Sequence, residues 1–323
     1  MSRAGIFRAV AFFGILALLP FGISAQWIIN ALIFTLMYAA LASGWNLIGG
    51  YAGYPSLGHA AFFGFGAYFF GIIFENSVGN GYSPFLILPV IGIIAALLSV
   101  PIGFIAMKTR ADVFAIVTIT LLFIVQTLAF NLRGLTGGAQ GKGIAVPPFD
   151  PATFARPFYW AMLVLLLIAM SISLYFRRSK IGLSLSAVRA DEDKAHGVGV
   201  QVTTVKLVAF GLSVSIAAMA GAVWAYYEGF IYPQFAVDPL ITIGMVLMTF
   251  LGGRATLWGP VLGAFILVPA QQFFSYEFGA TQFYLLAYAA IFLIIMLVLP
   301  RGILPTINDR IRTKAKLAAE VSK

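Results

Sequence analysis

Ten apolar runs organise the chain, at 5–23, 27–49, 58–74, 84–107, 113–132, 157–176, 207–227, 241–251, 259–275 and 284–300. Short clusters of polar residues, glycine and proline separate them. A helix needs about 20 mostly apolar residues to cross the hydrocarbon core of a membrane. The pattern therefore predicts an all-α, polytopic membrane helix bundle of about ten spans. The third run is short, and the eighth, Ile241 to Leu251, is short enough to be a broken or re-entrant helix. The longest polar stretches are 133–156, 177–206 and 301–323, too short for a soluble domain. Residues 1–306 read as one membrane domain and 307–323 as a basic tail.

Composition narrows the class. Of 323 residues, 61% are hydrophobic and 10% charged, and mean hydropathy is +0.97. Soluble domains carry about 25% charged residues, so a soluble enzyme, a nucleic-acid binder and a disordered chain are all excluded. The net charge of +9 is read instead through the positive-inside rule. With both termini in the cytoplasm, only Arg133, Lys142 and Arg156 of the 20 basic residues fall outside. Arg3, Arg8 and the run ending at Ile23-Ser24-Ala25 resemble a cleavable signal. We read this segment as an uncleaved first helix.

The missing chemistry is informative. There is no cysteine, and the two histidines, His59 and His196, are far apart and outside any HExxH pattern. No metal and no cofactor is expected. Glu75, Asp150, Glu228, Asp238 and Glu277 all fall in loops or at span ends. A proton- or sodium-coupled carrier normally needs a carboxylate at mid-span, so that class is disfavoured. Gly137 to Gly143 approaches a phosphate-binding loop but has Thr136 and Gly143 where that motif requires Gly and Ser or Thr. Ser56 and His59 raise an intramembrane hydrolase, but such residues also serve as hydrogen-bonding pins between helices, and we expect no catalysis.

Three segments carry positive signal. Gly44 to Tyr68 is dense in glycine and interrupts two apolar runs at their junction, with Gly49 and Gly50 at the break. Broken backbone at membrane depth must be buried or line a cavity, so Asn46, Tyr54, Ser56 and His59 are candidates for a substrate path. Residues 177–206 predict two short helices, Ile181 to Ala190 and one capped by Asp191. Glu192 and Asp193 stand in the first turn of the second, and Gly197 and Gly199 end it. A capped, charged segment between spans is a handle for a cytoplasmic partner. Leu251 to Ala264 holds Gly252, Gly253, Gly259 and Gly263, and Ser213, Ala217, Gly221 and Ala225 repeat small residues on another span. These permit close packing within the bundle or against a second membrane subunit. Ile48 to Ala52 weakly echoes Leu251 to Ala255. In the tail, Ile307, Ile311, Ala315 and Ala318 share a helical face beside basic residues, which suits anionic lipid.

At these motifs the chain resembles the longer permease subunit of bacterial ATP-binding-cassette importers for branched-chain amino acids. The resemblance rests on Asn46-Leu47 with Gly50 to Gly64, Leu135 to Gly138, Ala187 to Gly197, Gly252 to Ala264 and Pro300 to Ile303. The chain departs from the usual pattern at Tyr54, Ala255, Gln140 and Lys142. The resemblance implies a non-enzymatic subunit of the bacterial inner membrane that imports leucine, isoleucine and valine. Urea, amides or another small amino acid are the alternative solutes. Implied partners are a second, homologous permease, two cytoplasmic ATPases, an external amino-acid-binding protein and membrane lipid, with no nucleic acid. The resemblance also implies that Arg189, Asp191, Glu192, Ala195 and Gly197 form the coupling helix that meets the ATPases.

Overall fold

The computed structural model describes residues 3–23 and 25–278 and, beyond these, 289, 290, 293, 302–307 and 309. Helix α1 spans Arg3–Gly22, and α2 spans Gln26–Trp45 before passing into a π-helical turn, Asn46–Tyr51. Helix α3 is His59–Ile73, α4 Leu88–Ala106 and α5 Ala111–Asn131, followed by the single turn α6, Arg133–Thr136. Helix α7 covers Ala155–Arg178, α8 Lys180–Ala190 and α9 Glu192–Gly197. The long α10, Val202–Glu228, precedes the short α11, Pro233–Ala236, then α12, Pro239–Gly252, and α13, Gly259–Phe278. A two-residue antiparallel ladder pairs β1 (Lys142–Gly143) with β2 (Phe230–Ile231), Lys142 standing opposite Ile231. Lys142 also forms a 2.6 Å ion pair with Glu75, tying three connections together at that end of the bundle.

Each of the first nine apolar runs coincides with a helix. Six helical segments among the described residues are long and apolar enough to cross a membrane. The shorter apolar helices are Ala9–Gly22, His59–Ile73 and Gly259–Phe274. The eighth run is an unbroken helix, not an interrupted one. With α11 placed one turn ahead of α12, Pro233–Gly252 reaches spanning length. The run at 284–300 and most of the basic tail lie outside the described residues.

Helix α10 is the hub, 72% buried along its apolar window, whereas α4 and α5 are 28% and 22% buried. Small residues put α10 in the centre. Gly66 of α3 lies against the carbonyl of Ala218, and Gly221 of α10 lies against the carbonyl of Phe63. A methyl group at either glycine would overlap a backbone oxygen, so the two helices approach to backbone contact. The expected small-residue row, Ser213, Ala217, Gly221 and Ala225, is wholly buried in this seam. Gly263 similarly meets the carbonyl of Met248, and Gly252 meets Gly259. The Gly259–Gly263 pair is thus consumed by α12 of the same chain and does not present a surface to a second subunit. Helix α1 docks through Leu16, whose carbonyl accepts from the Tyr159 hydroxyl at 2.6 Å, and through Phe12, edge-on to Trp258 at 5.2 Å.

Candidate functional site

The three glycine-marked or polar segments of the sequence meet at one end of the bundle. The π turn after α2 places Asn46 inside the protein, with no exposure. Its amide nitrogen donates to the Thr256 carbonyl at 2.9 Å, and its oxygen accepts from the Ala255 backbone N–H at 2.8 Å. One side chain therefore satisfies both ends of the turn between α12 and α13. That turn is strained: Gly253 has φ +120° and Ala255, without glycine's freedom, has φ 57°. Gly50 packs directly beneath Asn46, where a Cβ would overlap the amide oxygen. Gly49 lies under the Trp45 ring, whose indole N–H donates to the Ser56 carbonyl at 2.8 Å. The two echoing pentads in the sequence are thus spatial neighbours. Replacing Asn46 by alanine leaves the half-buried Ala255 N–H and Thr256 C=O without their partner, at about 1 kcal/mol or more. The expected result is a lower melting temperature of the purified protein, with Asn46→Asp recovering only the acceptor half.

Ser56 and His59 are also completely buried. Ser213 of α10 donates its hydroxyl hydrogen to the Gly44 carbonyl at 2.7 Å. His59 Nε2 is 2.6 Å from the same Ser213 oxygen, so Nε2 must carry the proton, and Nδ1, 2.9 Å from Ser56 Oγ, accepts. This chain pins α2, the start of α3 and α10 to one another. Both imidazole nitrogens are engaged, with a hydroxyl on each side and no carboxylate orienting the ring. The arrangement is that of a helix pin, not of an exposed nucleophile and base.

On the adjoining side, α8 and α9 form as the sequence predicts. The Ser179 side chain caps α8 by accepting from Gly182 N at 3.3 Å. Asp191 caps α9 by accepting from Lys194 N at 3.0 Å. That backbone bond, and then the Lys194 ammonium, hold the Asp191 carboxyl below its ordinary range. The cap's contribution is present above the ordinary carboxylate pKa and is lost as pH falls through the lowered value. Ala195 is buried beneath α9, while Asp193, Lys194, His196, Gly197 and Val198 are exposed. Val198 is 80% exposed and Leu183 on α8 75%, an unusual pair of apolar side chains on a polar segment.

Two contacts tie this segment to the glycine break. Arg189 donates to the Gly50 carbonyl at 3.1 Å and packs against Gly53. Burial, and then the neighbouring Arg254 charge, lower its pKa. Glu192 accepts from the Tyr54 hydroxyl through one oxygen and pairs with the Lys206 ammonium at 2.7 Å through the other. Burial, and then the bond to Glu192, push the Tyr54 phenol above its ordinary range, so it remains a donor. Lys206 also donates to the Met107 carbonyl at 3.0 Å and sits 4.1 Å from the centre of the Tyr54 ring. Its side chain has no exposure. A crevice of about 590 Å³, lined by Gly53, Tyr54, Arg110, Glu192 and His196 among others, opens beside this cluster.

Of the four path candidates, Asn46, Ser56 and His59 hydrogen-bond within the bundle, and Tyr54 joins the α8–α9 segment. Among the coupling candidates, Arg189 and Glu192 reach inward, Asp191 caps, Ala195 packs, and Gly197 is open to solvent. Lys206 is the residue missed by sequence reasoning, which counted it among the loop cations. The signal was its place in an apolar run, Val205 to Phe210, where a lone charge needs a partner. Among the described residues no cluster of His, Asp and Glu could hold a metal ion.

A family model described as "Branched-chain amino acid transport system / permease component" matches residues 27–299. The chain belongs to this family. Its relatives include the high-affinity branched-chain amino acid transport system permease protein LivM of Salmonella typhimurium, 27% identical over 312 residues, or 87% of this chain and 71% of the relative. LivM of Escherichia coli is 26% identical over 326 residues, covering 91% and 74%. A probable branched-chain amino acid transport permease protein LivH of Methanocaldococcus jannaschii is 24% identical over 207 residues, covering 61% and 64%. No solved structure matches the chain. Membership and the six long apolar helices among the described residues make this permease a multi-pass membrane protein, and its role is that of a transport component.

Proposed function

We propose that this permease forms half of the membrane path of an ATP-driven, binding-protein-dependent importer for leucine, isoleucine and valine in the bacterial inner membrane. The reading includes about ten spans with both termini cytoplasmic. A homologous second permease completes the path, an external binding protein delivers the solute, and two cytoplasmic ATPases supply the energy. In this arrangement α8 and α9 seat in an ATPase. Arg189, Asp191, Glu192, Ala195 and Gly197 transmit its movement, while Asn46, Tyr54, Ser56 and His59 hold the joint that receives it. One observation carries the reading: the solvent-facing α8–α9 segment is bonded directly, through Arg189 and Glu192, to the break between α2 and α3. A displacement of α9 therefore displaces the membrane helices.

The test is uptake by proteoliposomes containing both permeases, the ATPases and the loaded binding protein. ATP-dependent leucine uptake, competed by isoleucine and valine and not by urea or amides, is the expected result. Competition by urea in place of the amino acids would overturn the solute assignment. Leu183→Glu with Val198→Glu places two charges on the exposed face without touching the core. Loss of one such contact site changes affinity by about tenfold or more. The double variant is expected to insert normally, yet to lose ATPase co-purification and uptake together. Normal uptake would place the ATPase elsewhere.

A further inference from the structure

We propose that the exposed face of α5 carries Thr120 and Thr127 into the path of the solute, where they accept hydrogen bonds from its ammonium group. This assignment rests on the transport reading above and deepens it. It starts from a contrast between the two most peripheral spans. Every exposed side chain of α4 is apolar, including Val90, Ile93, Leu97 and Phe104, and its one polar residue, Ser99, is buried. That surface suits hydrocarbon. Helix α5 is still less buried, yet it exposes Thr120, Thr127 and Asn131. Separations of seven and eleven residues put the three within about 40° of one another on the helix. Between them stand exposed Phe123, Ile124 and Leu128. Thr120 lies next to the midpoint of α5, whose ends are Ala111 and Asn131.

The hydrogen bonds of this row define what it recognises. The Thr120 hydroxyl donates to the Ile116 carbonyl at 2.9 Å, and Thr127 to Phe123 at 2.8 Å. The Asn131 amide donates to the Thr127 carbonyl at 2.8 Å. The hydroxyl hydrogens are thereby used, and both threonine oxygens keep acceptor capacity that hydrocarbon cannot satisfy. A row of neutral acceptors interleaved with apolar side chains suits a small zwitterion with an aliphatic side chain. Without a fixed charge it binds weakly at successive points, as conduction requires. The opposite face of α5 is fastened to the junction. Thr118 accepts from Leu57 N at 2.9 Å, and Phe114 lies edge-on to Tyr54 at 5.6 Å. Met107, which holds Lys206, precedes α5 by one turn. Movement of α9 thus reaches α5 through two side chains.

The chain contains no cysteine, so a single introduced thiol is unique in it. Thr120→Cys and Thr127→Cys, with Ile93→Cys and Leu97→Cys on α4, are to be made in the assembled importer, and leucine uptake measured for each. The four are then exposed to a charged, membrane-impermeant methanethiosulfonate. Thiols react as thiolates, which hydrocarbon suppresses, so modification at 120 and 127 is expected to be at least about tenfold faster than at 93 and 97. Loaded binding protein with ATP should change the α5 rates and leave the α4 rates alone. Equally slow modification at all four positions, in variants that still take up leucine, would overturn the α5 assignment while leaving the transport reading standing. Failure of uptake by the unmodified importer itself would count against the transport reading instead.

Discussion

Replacing Glu192 by leucine is expected to destabilise the permease by about 3 kcal/mol, because it leaves the Lys206 ammonium buried without a counter-charge. Lys206 has no exposure, whereas the Glu192 side chain retains 35%. That partial exposure screens the pair and places the effect at the lower end of the range for breaking a buried ion pair. It also makes the two partners unequal. In Lys206→Met, Glu192 and the Met107 carbonyl each lose a donor, but Glu192 keeps its solvent exposure and the Tyr54 hydroxyl. Lys206→Met should therefore cost about 1 kcal/mol. The double variant, Glu192→Leu with Lys206→Met, should recover most of the loss, since no charge remains buried. Melting temperatures of the purified complex give the ranking. Equal losses for the two single variants would refute the asymmetry. The double variant also separates stability from function. It restores the core yet removes the link between α9 and the glycine break, so ATP hydrolysis should persist while leucine uptake falls.

Much of this fold is legible in the sequence because lipid imposes a simple rule. Backbone groups in hydrocarbon must be satisfied within the segment, so apolar length alone marks a helix. The same transparency extends to α8 and α9. Ser179 and Asp191 cap locally, and local hydrogen bonds are readable from neighbours in sequence. What the sequence hides is long-range pairing. Nothing near Asn46 says that it closes a turn at Ala255 and Thr256. Tyr54 reads from sequence as a path candidate, and nothing near it shows that its hydroxyl reaches Glu192, 138 positions away. Lys206 follows the charge rule for loop cations but begins a buried helix, where a partner 14 positions away neutralises it. The glycines read as packing devices, but their partners do not show in the sequence: Gly263 closes on α12 and Gly259 on the turn that follows it.

The seam between α3 and α10 gives the largest structural prediction. Gly66 faces the Ala218 carbonyl and Gly221 faces the Phe63 carbonyl, so each helix presents its bare backbone to the other. The obstructing atoms are backbone oxygens and cannot rotate away. A single methyl, as in Gly66→Ala or Gly221→Ala, must push the helices apart, at about 1–3 kcal/mol of overpacking. Gly221→Leu exceeds what such a seam can absorb, and folded protein should be nearly absent from membranes. Both alanines relieve their clash by the same displacement, so the second should come at less than the first, and Gly66→Ala with Gly221→Ala should be distinctly less costly than the sum of its parts. Strict additivity would mean that each site relaxes independently and that the helices do not move as rigid bodies. Gly14→Ala on α1, which has open space around its Cβ position, is the control and should leave yield and melting temperature unchanged. Because α10 also carries Ser213 and Lys206, separation along this seam would loosen the His59 pin and the Glu192 latch together. A Gly66→Ala permease that remains folded should accordingly lose uptake more than it loses stability.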